Sequence, residues 1–282
     1  MHLGYNTNGL AHHDILEGIE LLAEIGYRSV AITLDHGWLN PFDEDLPEQI
    51  ERVGSLLKRR GLRSSIETGA RFLLDPRNKH EPTLVTADAA ERARRIDFLE
   101  RAVDIAHQLE SDCVSIWSGI LRDDATDAEA FGRLVSGLEG LLAYAEEKKV
   151  VVAFEPEPGM FIDTMDRFSQ LLQRVDAPQL KLTLDIGHLH CQDETPLDEQ
   201  IKRWAGRLVN VHIEDMRRGL HEHLMFGEGE IDFAPVMTAL AKSDYRGGIH
   251  VELSRHSHMA PQAARESFAY LAKLLHQCTL PP

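Results

Sequence analysis

The stretch "LKLTLDIGHLH", Leu180–His190, begins as an alternating apolar run and ends in an aspartate and two histidines. A short apolar run of this kind reads as a buried strand. The polar residues at its end either cap the next helix or project into a working cleft. Asp185 taken alone serves either purpose. Whether other strands end in the same way decides between the two.

Strand-like runs recur along the chain at His2–Asn6, Ser29–Leu34, Arg63–Thr68, Cys113–Ser118, Val150–Pro156, Leu180–Ile186, Leu208–Glu214 and Gly248–Leu253. They are short and nearly continuous in Val, Ile and Leu, as strands covered on both faces are. Helical patterns separate them. Asp14 and Glu17 suit a capping arrangement before Ile15, Ile19, Leu22 and Ile25, and Gly26 is a stop. Further stripes run through Ile96, Leu99 and Val103, through Leu134, Leu138 and Leu141 after Thr126 and Glu129, and through Phe168, Leu171 and Val175. Leu197, Ile201 and Trp204 follow, then Phe233, Val236 and Leu240, then Phe268, Leu271 and Leu275.

Eight strands alternating with helices predict a closed (β/α)8 TIM barrel in the α/β class, with residues 1–282 forming one domain. The rival is an open doubly wound sheet, which often carries a glycine-rich phosphate loop. Neither "YNTNGLAHHD" nor "IETGARF" matches that G-x-G-x-x-G pattern. The longest irregular piece, Gly69–Thr86, is long enough to be functional or mobile.

Composition narrows the class. A chain of 282 residues, 43% hydrophobic, can bury one large core. A net charge of -16 argues against nucleic acid as a partner. Cys113, Cys191 and Cys278 show no disulfide pattern. No apolar segment approaches the roughly 20 residues of a membrane span, and "MHLGYNTNGL" lacks the basic and apolar parts of a signal peptide. The expectation is a cytoplasmic enzyme with a small-molecule partner, no membrane association, and room for homo-oligomerisation.

In such a barrel the active site lies at the C-terminal ends of the strands. Those ends here carry Asn6; Asp35 and His36, with Trp38 beyond; Glu67; Trp117 and Ser118; Glu155 and Glu157; Asp185 and His188; His212, Glu214 and Asp215; and Glu252, followed by Arg255 and His256. Glutamates within buried strands are costly without partners. Carboxylates crowded together resist ionising together, and a divalent cation removes that difficulty. Glu155, Asp185, His212 and Glu252 come from strands 5 to 8 in succession, so they form the candidate metal set. Three oxygen donors and one imidazole suit Mn²⁺, Co²⁺, Zn²⁺ or Mg²⁺. His36, Glu67, Trp117 and Glu157 are candidate substrate contacts.

The pieces "FEPEPG", "LTLDIGHLH", "VNVHIEDMRRG", "GEGEIDF" and "IHVELS", in this order and spacing, resemble the xylose isomerase-like TIM barrels, in particular the sugar phosphate isomerase/epimerase group. The resemblance implies that Glu155, Asp185, His212 and Glu252 hold one divalent ion. It implies that Glu155 and Glu252 are also the catalytic acid–base pair, and that His188 and Arg217 contact substrate oxygens. The expected chemistry is isomerisation or epimerisation of a sugar or polyol-derived ketone through an enediolate. The same residues suit a lyase, such as a dehydratase of inososes or an enzyme cleaving 3-keto-glycosides. A non-catalytic carbohydrate-binding barrel has no use for two opposed glutamates. Endonuclease IV, a phosphoesterase on this scaffold, uses three zinc ions and more histidines. His221 and His223 suggest such a site, but the acidic charge and lack of a basic surface argue against it. The long Gly69–Thr86 insertion, with Arg71, Arg77, Lys79 and His80, departs from a simple ketose epimerase, and Trp38, Trp117 and Phe161 suit either ring stacking or core packing.

Overall fold

The structure is a computed structural model that describes residues 1–175 and 177–279. Strands β1 (His2–Asn6), β2 (Ser29–Thr33), β3 (Arg63–Glu67), β4 (Val114–Ile116), β5 (Val152–Phe154), β6 (Lys181–Asp185) and β7 (Leu208–Ile213) run parallel. They close against the final strand, Gly248–Val251, in the order β1–final–β7–β6–β5–β4–β3–β2. The closed (β/α)8 barrel expected from the alternation is the observed fold. Observed strands end earlier than the apolar runs. Cys113–Ser118, for example, pairs only at Val114–Ile116, and Trp117, just past the pairing, lines the cavity at the barrel mouth.

The outer ring begins with α1 (Ile15–Ile25), where Asp14 accepts from the backbone N–H of Leu16 and Glu17, and it stops at Gly26. Next, α2 (Leu46–Arg60) was not singled out by pattern. It lacks a side-chain cap but has a proline at its start and Lys58, Arg59 and Arg60 in its last turn, where cations favour the helix dipole. Asp88 caps α3 (Ala89–Leu109), and the Thr126–Glu129 capping box opens α4 (Asp127–Lys148). Then come α5 (Met165–Leu172), a short α6 (Ile186–Cys191) and α7 (Leu197–Trp204). After β7 the chain makes an unforeseen antiparallel hairpin, β8 (Asp215–Arg217) and β9 (Leu220–Leu224). Helix α8 (Phe233–Lys242), β10 (Gly248–Val251) and α9 (Ala260–Thr279) complete the chain.

The apolar core lies between barrel and helices, with Val30, Ile32, Leu99, Val103, Phe154, Phe168, Leu184 and Ile249 buried. Inside the barrel the buried side chains are largely polar: Ser29, Ser65, Glu67, Ser115, Thr183, Asn210, His212 and His250. The three cysteines are unpaired. No helix among the described residues is long and apolar enough to cross a membrane.

The Gly69–Thr86 segment is tied down along its length. Asp75 accepts from the backbone N–H of Arg77, Arg94 donates to the Leu74 carbonyl, Arg122 pairs with Glu81, and Leu74, Thr83, Leu84 and Val85 are buried. The His80 Nδ1–H donates to the Gly69 carbonyl at 2.5 Å, and its ring meets Trp117 edge-on at 5.5 Å. Burial lowers the His80 pKa to about 4. The neutral ring is therefore a source of stability present above the unfolded pKa of about 6.5 and lost as pH falls toward 4, worth up to ~3 kcal/mol. Denaturant titrations at pH 7 and pH 4 are expected to show wild type losing more stability on acidification than His80→Phe. Equal losses in the two proteins would remove His80 as the source.

Candidate active site

A cavity of about 380 Å³ opens at the C-terminal mouth of the barrel. Glu67, Trp117, Glu155, Glu157, His212 and Glu252 line it, with Arg71, Lys79, His80 and Arg255 among its other walls. A larger groove of about 620 Å³ between α1 and α2 is walled by Leu16, Glu20, Arg52 and Arg59, a set with no converging chemistry.

Glu155, Asp185, His212 and Glu252 meet here. One donor atom from each lies within 4.8 Å of the others. The sheet register produces this convergence: Asp185 is opposite His212, and His212 is opposite His250, two residues before Glu252. The His212 Nδ1 is 2.9 Å from Glu155 Oε1 and 2.8 Å from Glu252 Oε2. Asp185 does both things the sequence allowed. Its Oδ1 caps α6 by accepting from the His188 N–H at 2.7 Å, while its buried Oδ2 has no hydrogen-bond partner. A buried carboxylate oxygen left bare beside two more carboxylates and an imidazole fits a cation. Oxygen-rich donors with one nitrogen are the chemistry expected for Mn²⁺, Co²⁺, Zn²⁺ or Mg²⁺.

The electrostatics separate the two glutamates. Burial raises the Glu155 pKa to about 8, against the pull of His212 and with a further push from Glu252 and Asp185. Burial also works to raise Glu252, but the His212 charge and hydrogen bond outweigh it and hold Glu252 well below the carboxylate range. Asn8 Nδ2 donates to Glu252 Oε1 at 2.7 Å, a contact the sequence did not suggest. Burial opposes the His212 cation, yet Glu155, Glu67 and Glu252 together raise its pKa well above the usual value. Glu214 is fully buried, and burial, then Asp185 and Glu252, with a hydrogen bond to Asp185, raises its pKa well above normal.

His188 joins the cluster, buried, with Nδ1 3.9 Å from Glu155 and Nε2 3.6 Å from Asp185. Its Nε2 is 3.1 Å from that of His221, which lies 3.3 Å from that of His223. The two hairpin histidines share one face of β9 because strand side chains alternate, and Glu222 between them pairs with Arg255 instead. Burial lowers the His221 pKa to about 3, so the ring is neutral. The three imidazoles also have donors close enough to share an ion. The alternating "LHEHL" was the available signal for this wall.

Several expected contacts stand elsewhere. Arg217 is not brought to the cavity: it turns outward on β8, exposed, and its Nη2 donates to the Glu228 carbonyl at 2.9 Å. His36 is exposed in a shallow neighbouring pocket with Asp35, Trp38 and Arg71. Trp38 and Phe161 are buried, and Phe161 packs edge-on against Phe131. Arg71 reaches the cavity but is held by Asp35 at 3.2 Å and by the Asn8 carbonyl. Trp117 forms a wall, with the fully buried Arg95 guanidinium 4.4 Å from its ring centroid. Glu67 lines the cavity as expected, and its carboxylate also bonds Asn210 and faces His212.

Comparison with known proteins gives the same architecture. The chain is 24% identical over 241 residues to the L-ribulose-5-phosphate 3-epimerase UlaE of Shigella flexneri serotype 5b (strain 8401), an alignment covering 84% of this chain and 81% of that protein. The structure of a D-tagatose 3-epimerase-like protein superimposes with a TM-score of 0.82 at 19% identity, covering 99% of this chain and 98% of the other. The IolI protein, whose structure contains a zinc atom, gives a TM-score of 0.78 at 17% identity over the whole of both chains. The family model for xylose isomerase-like TIM barrels matches residues 19–274. By that match and by its closed eight-stranded barrel, the chain belongs to the xylose isomerase-like TIM barrel family.

Proposed function

We propose that the protein is a divalent-metal-dependent isomerase or epimerase acting on a ketose or a related polyol-derived ketone. The observation that carries this reading is the convergence of Glu155, Asp185, His212 and Glu252 at the barrel mouth. Epimerase activity among the similar proteins supports it, as does the zinc in IolI.

Glu155, Asp185, His212 and Glu252 would hold one Mn²⁺, Co²⁺, Zn²⁺ or Mg²⁺ ion. When bound, it would polarise the substrate carbonyl and offset negative charge developing on its oxygen. Glu252 serves as base toward the C–H next to that carbonyl. Glu155 is the other member of the acid–base pair and carries the proton returned to that carbon. The electron pair left by the departing proton moves into the enediolate, and a proton delivered to the opposite face gives the epimer. Asn8 fixes the direction of the Glu252 carboxylate through its 2.7 Å bond. Trp117 and Met160 give apolar wall, while Glu157, His221 and His223 give polar edges for hydroxyl groups. In this reading His221 and His223 join His188 in the substrate-orienting part that the resemblance assigned to His188 and Arg217.

Incubation in heavy water with L-ribulose, its 5-phosphate, D-tagatose and inososes, followed by NMR, tests the reading. Deuterium is expected at the carbon beside the carbonyl, together with a new epimer or isomer. Loss of water or of a glycosidic group in the same spectra would assign lyase chemistry instead. No exchange and no conversion across such a panel would count against proton abstraction at this site.

A further inference from the structure

The barrel interior contains a directed chain of hydrogen bonds that ends on His212. Ser29 Oγ lies 2.8 Å from His250 Nε2, and His250 Nδ1 lies 2.8 Å from Asn210 Oδ1. An amide oxygen only accepts, so His250 Nδ1 carries the hydrogen and its Nε2 accepts from the serine. Asn210 Nδ2 donates to Glu67 Oε1 at 3.1 Å. The same oxygen receives Ser65 Oγ at 3.1 Å and faces His212 Nε2 at 3.2 Å. Asn210 Nδ2 is also 3.2 Å from His212 Nε2 and 3.4 Å from Thr183 Oγ1. Two N–H groups cannot bond each other, and a carboxylate only accepts, so Glu67 is the acceptor shared by both. His212 Nε2 then carries a hydrogen held by Glu67, while Nδ1 faces Glu155 and Glu252 and is the nitrogen that an ion among those carboxylates would meet in place of its proton.

The sequence makes room for this chain at some cost. A Cβ on Gly4 would lie 2.2 Å from the His250 ring, and one on Gly248 2.3 Å from it. Two strand glycines thus cradle an imidazole in the middle of a barrel, where apolar packing would otherwise be the simpler solution. Ser29, His250 and Asn210 are all nearly inaccessible to solvent, so substrate does not touch them.

We propose that Glu67, Asn210, His250 and Ser29 form a positioning chain that selects the ring nitrogen His212 offers to the divalent ion and holds the ring in register with the carboxylates. Glu67 is therefore a positioning residue acting through His212. This inference rests on the four-residue metal reading above and deepens it. Partners behind a metal-binding histidine are worth about 10- to 100-fold in metal affinity.

The test measures Zn²⁺ binding to purified full-length protein by calorimetric competition, for wild type, Glu67→Gln, Glu67→Met and Glu155→Gln. Glutamine keeps an acceptor oxygen for His212, and methionine does not. The expected pattern is weakening of about 10- to 100-fold for Glu67→Met, less than about 5-fold for Glu67→Gln, and a larger loss for Glu155→Gln. Unchanged affinity in Glu67→Met, with Glu155→Gln impaired, overturns the positioning chain and leaves the metal site standing. Unchanged affinity in Glu155→Gln overturns the metal reading itself. Nitrogen-15 NMR of the Zn²⁺-loaded wild type supplies a second readout that depends on no variant folding. A slowly exchanging His212 Nε2–H with Nδ1 bound to zinc supports the inference, and zinc on Nε2 overturns it.

Discussion

Replacing Glu252 with glutamine is expected to lower kcat by about 10²- to 10⁴-fold while leaving the fold intact. The substitution preserves size and an oxygen for Asn8 Nδ2, which donates to Glu252 Oε1 at 2.7 Å. What it removes is the negative charge and the proton-accepting lone pair. Glu252 is the carboxylate that His212 holds well below the usual range, so it is ionised at neutral pH and available as a base. Single-turnover measurement on the substrate found in the heavy-water panel checks the effect, alongside a thermal melt to show that the barrel persists. A variant retaining more than about a tenth of wild-type kcat would take Glu252 out of the proton-transfer step.

Removal of divalent metal should abolish activity and lower the melting temperature, with Mn²⁺ or Co²⁺ restoring both. Without a cation, Asp185 keeps a buried, unpartnered oxygen, and Glu155 avoids three-way repulsion only by binding a proton. An ion at about 100 times its Kd stabilises the folded state by about 2.7 kcal/mol. For a chain of this size that corresponds to a melting shift of about 5 °C. Calorimetric melts of chelated and Mn²⁺-loaded protein read the shift independently of any substrate. Full activity in protein stripped of metal would reject the metal mechanism. An unchanged melt would reject the buried site.

The barrel was legible because most strands are apolar runs separated by helices, several of which carry their own cap and stop. Asp14 and Gly26 around α1, and Thr126 with Glu129 before α4, act locally and could be read without a fold. Helix α2 escaped although Ile50, Val53, Leu56 and Leu57 form its buried stripe, because its ends rest on Pro47 and Gly61 instead of a side-chain cap. The metal set was legible for a related reason. A glutamate inside a buried strand has few solutions, and four such positions on successive strand ends share one.

The sequence by itself determined which residues lie at the ends of the strands, because strand periodicity and the direction of a parallel barrel depend only on local pattern. The tertiary structure alone decided which way those residues face and what they touch. Arg217 and His221 sit on one hairpin, yet the twist of that hairpin exposes the first and brings the second to within 3.1 Å of His188. Glu67 sits at a strand end like Glu155, but its partners are Asn210 and His212, over 140 residues away in sequence. Side-chain hydrogen bonds between distant strands are set by register and ring closure, and neither is encoded in any one segment.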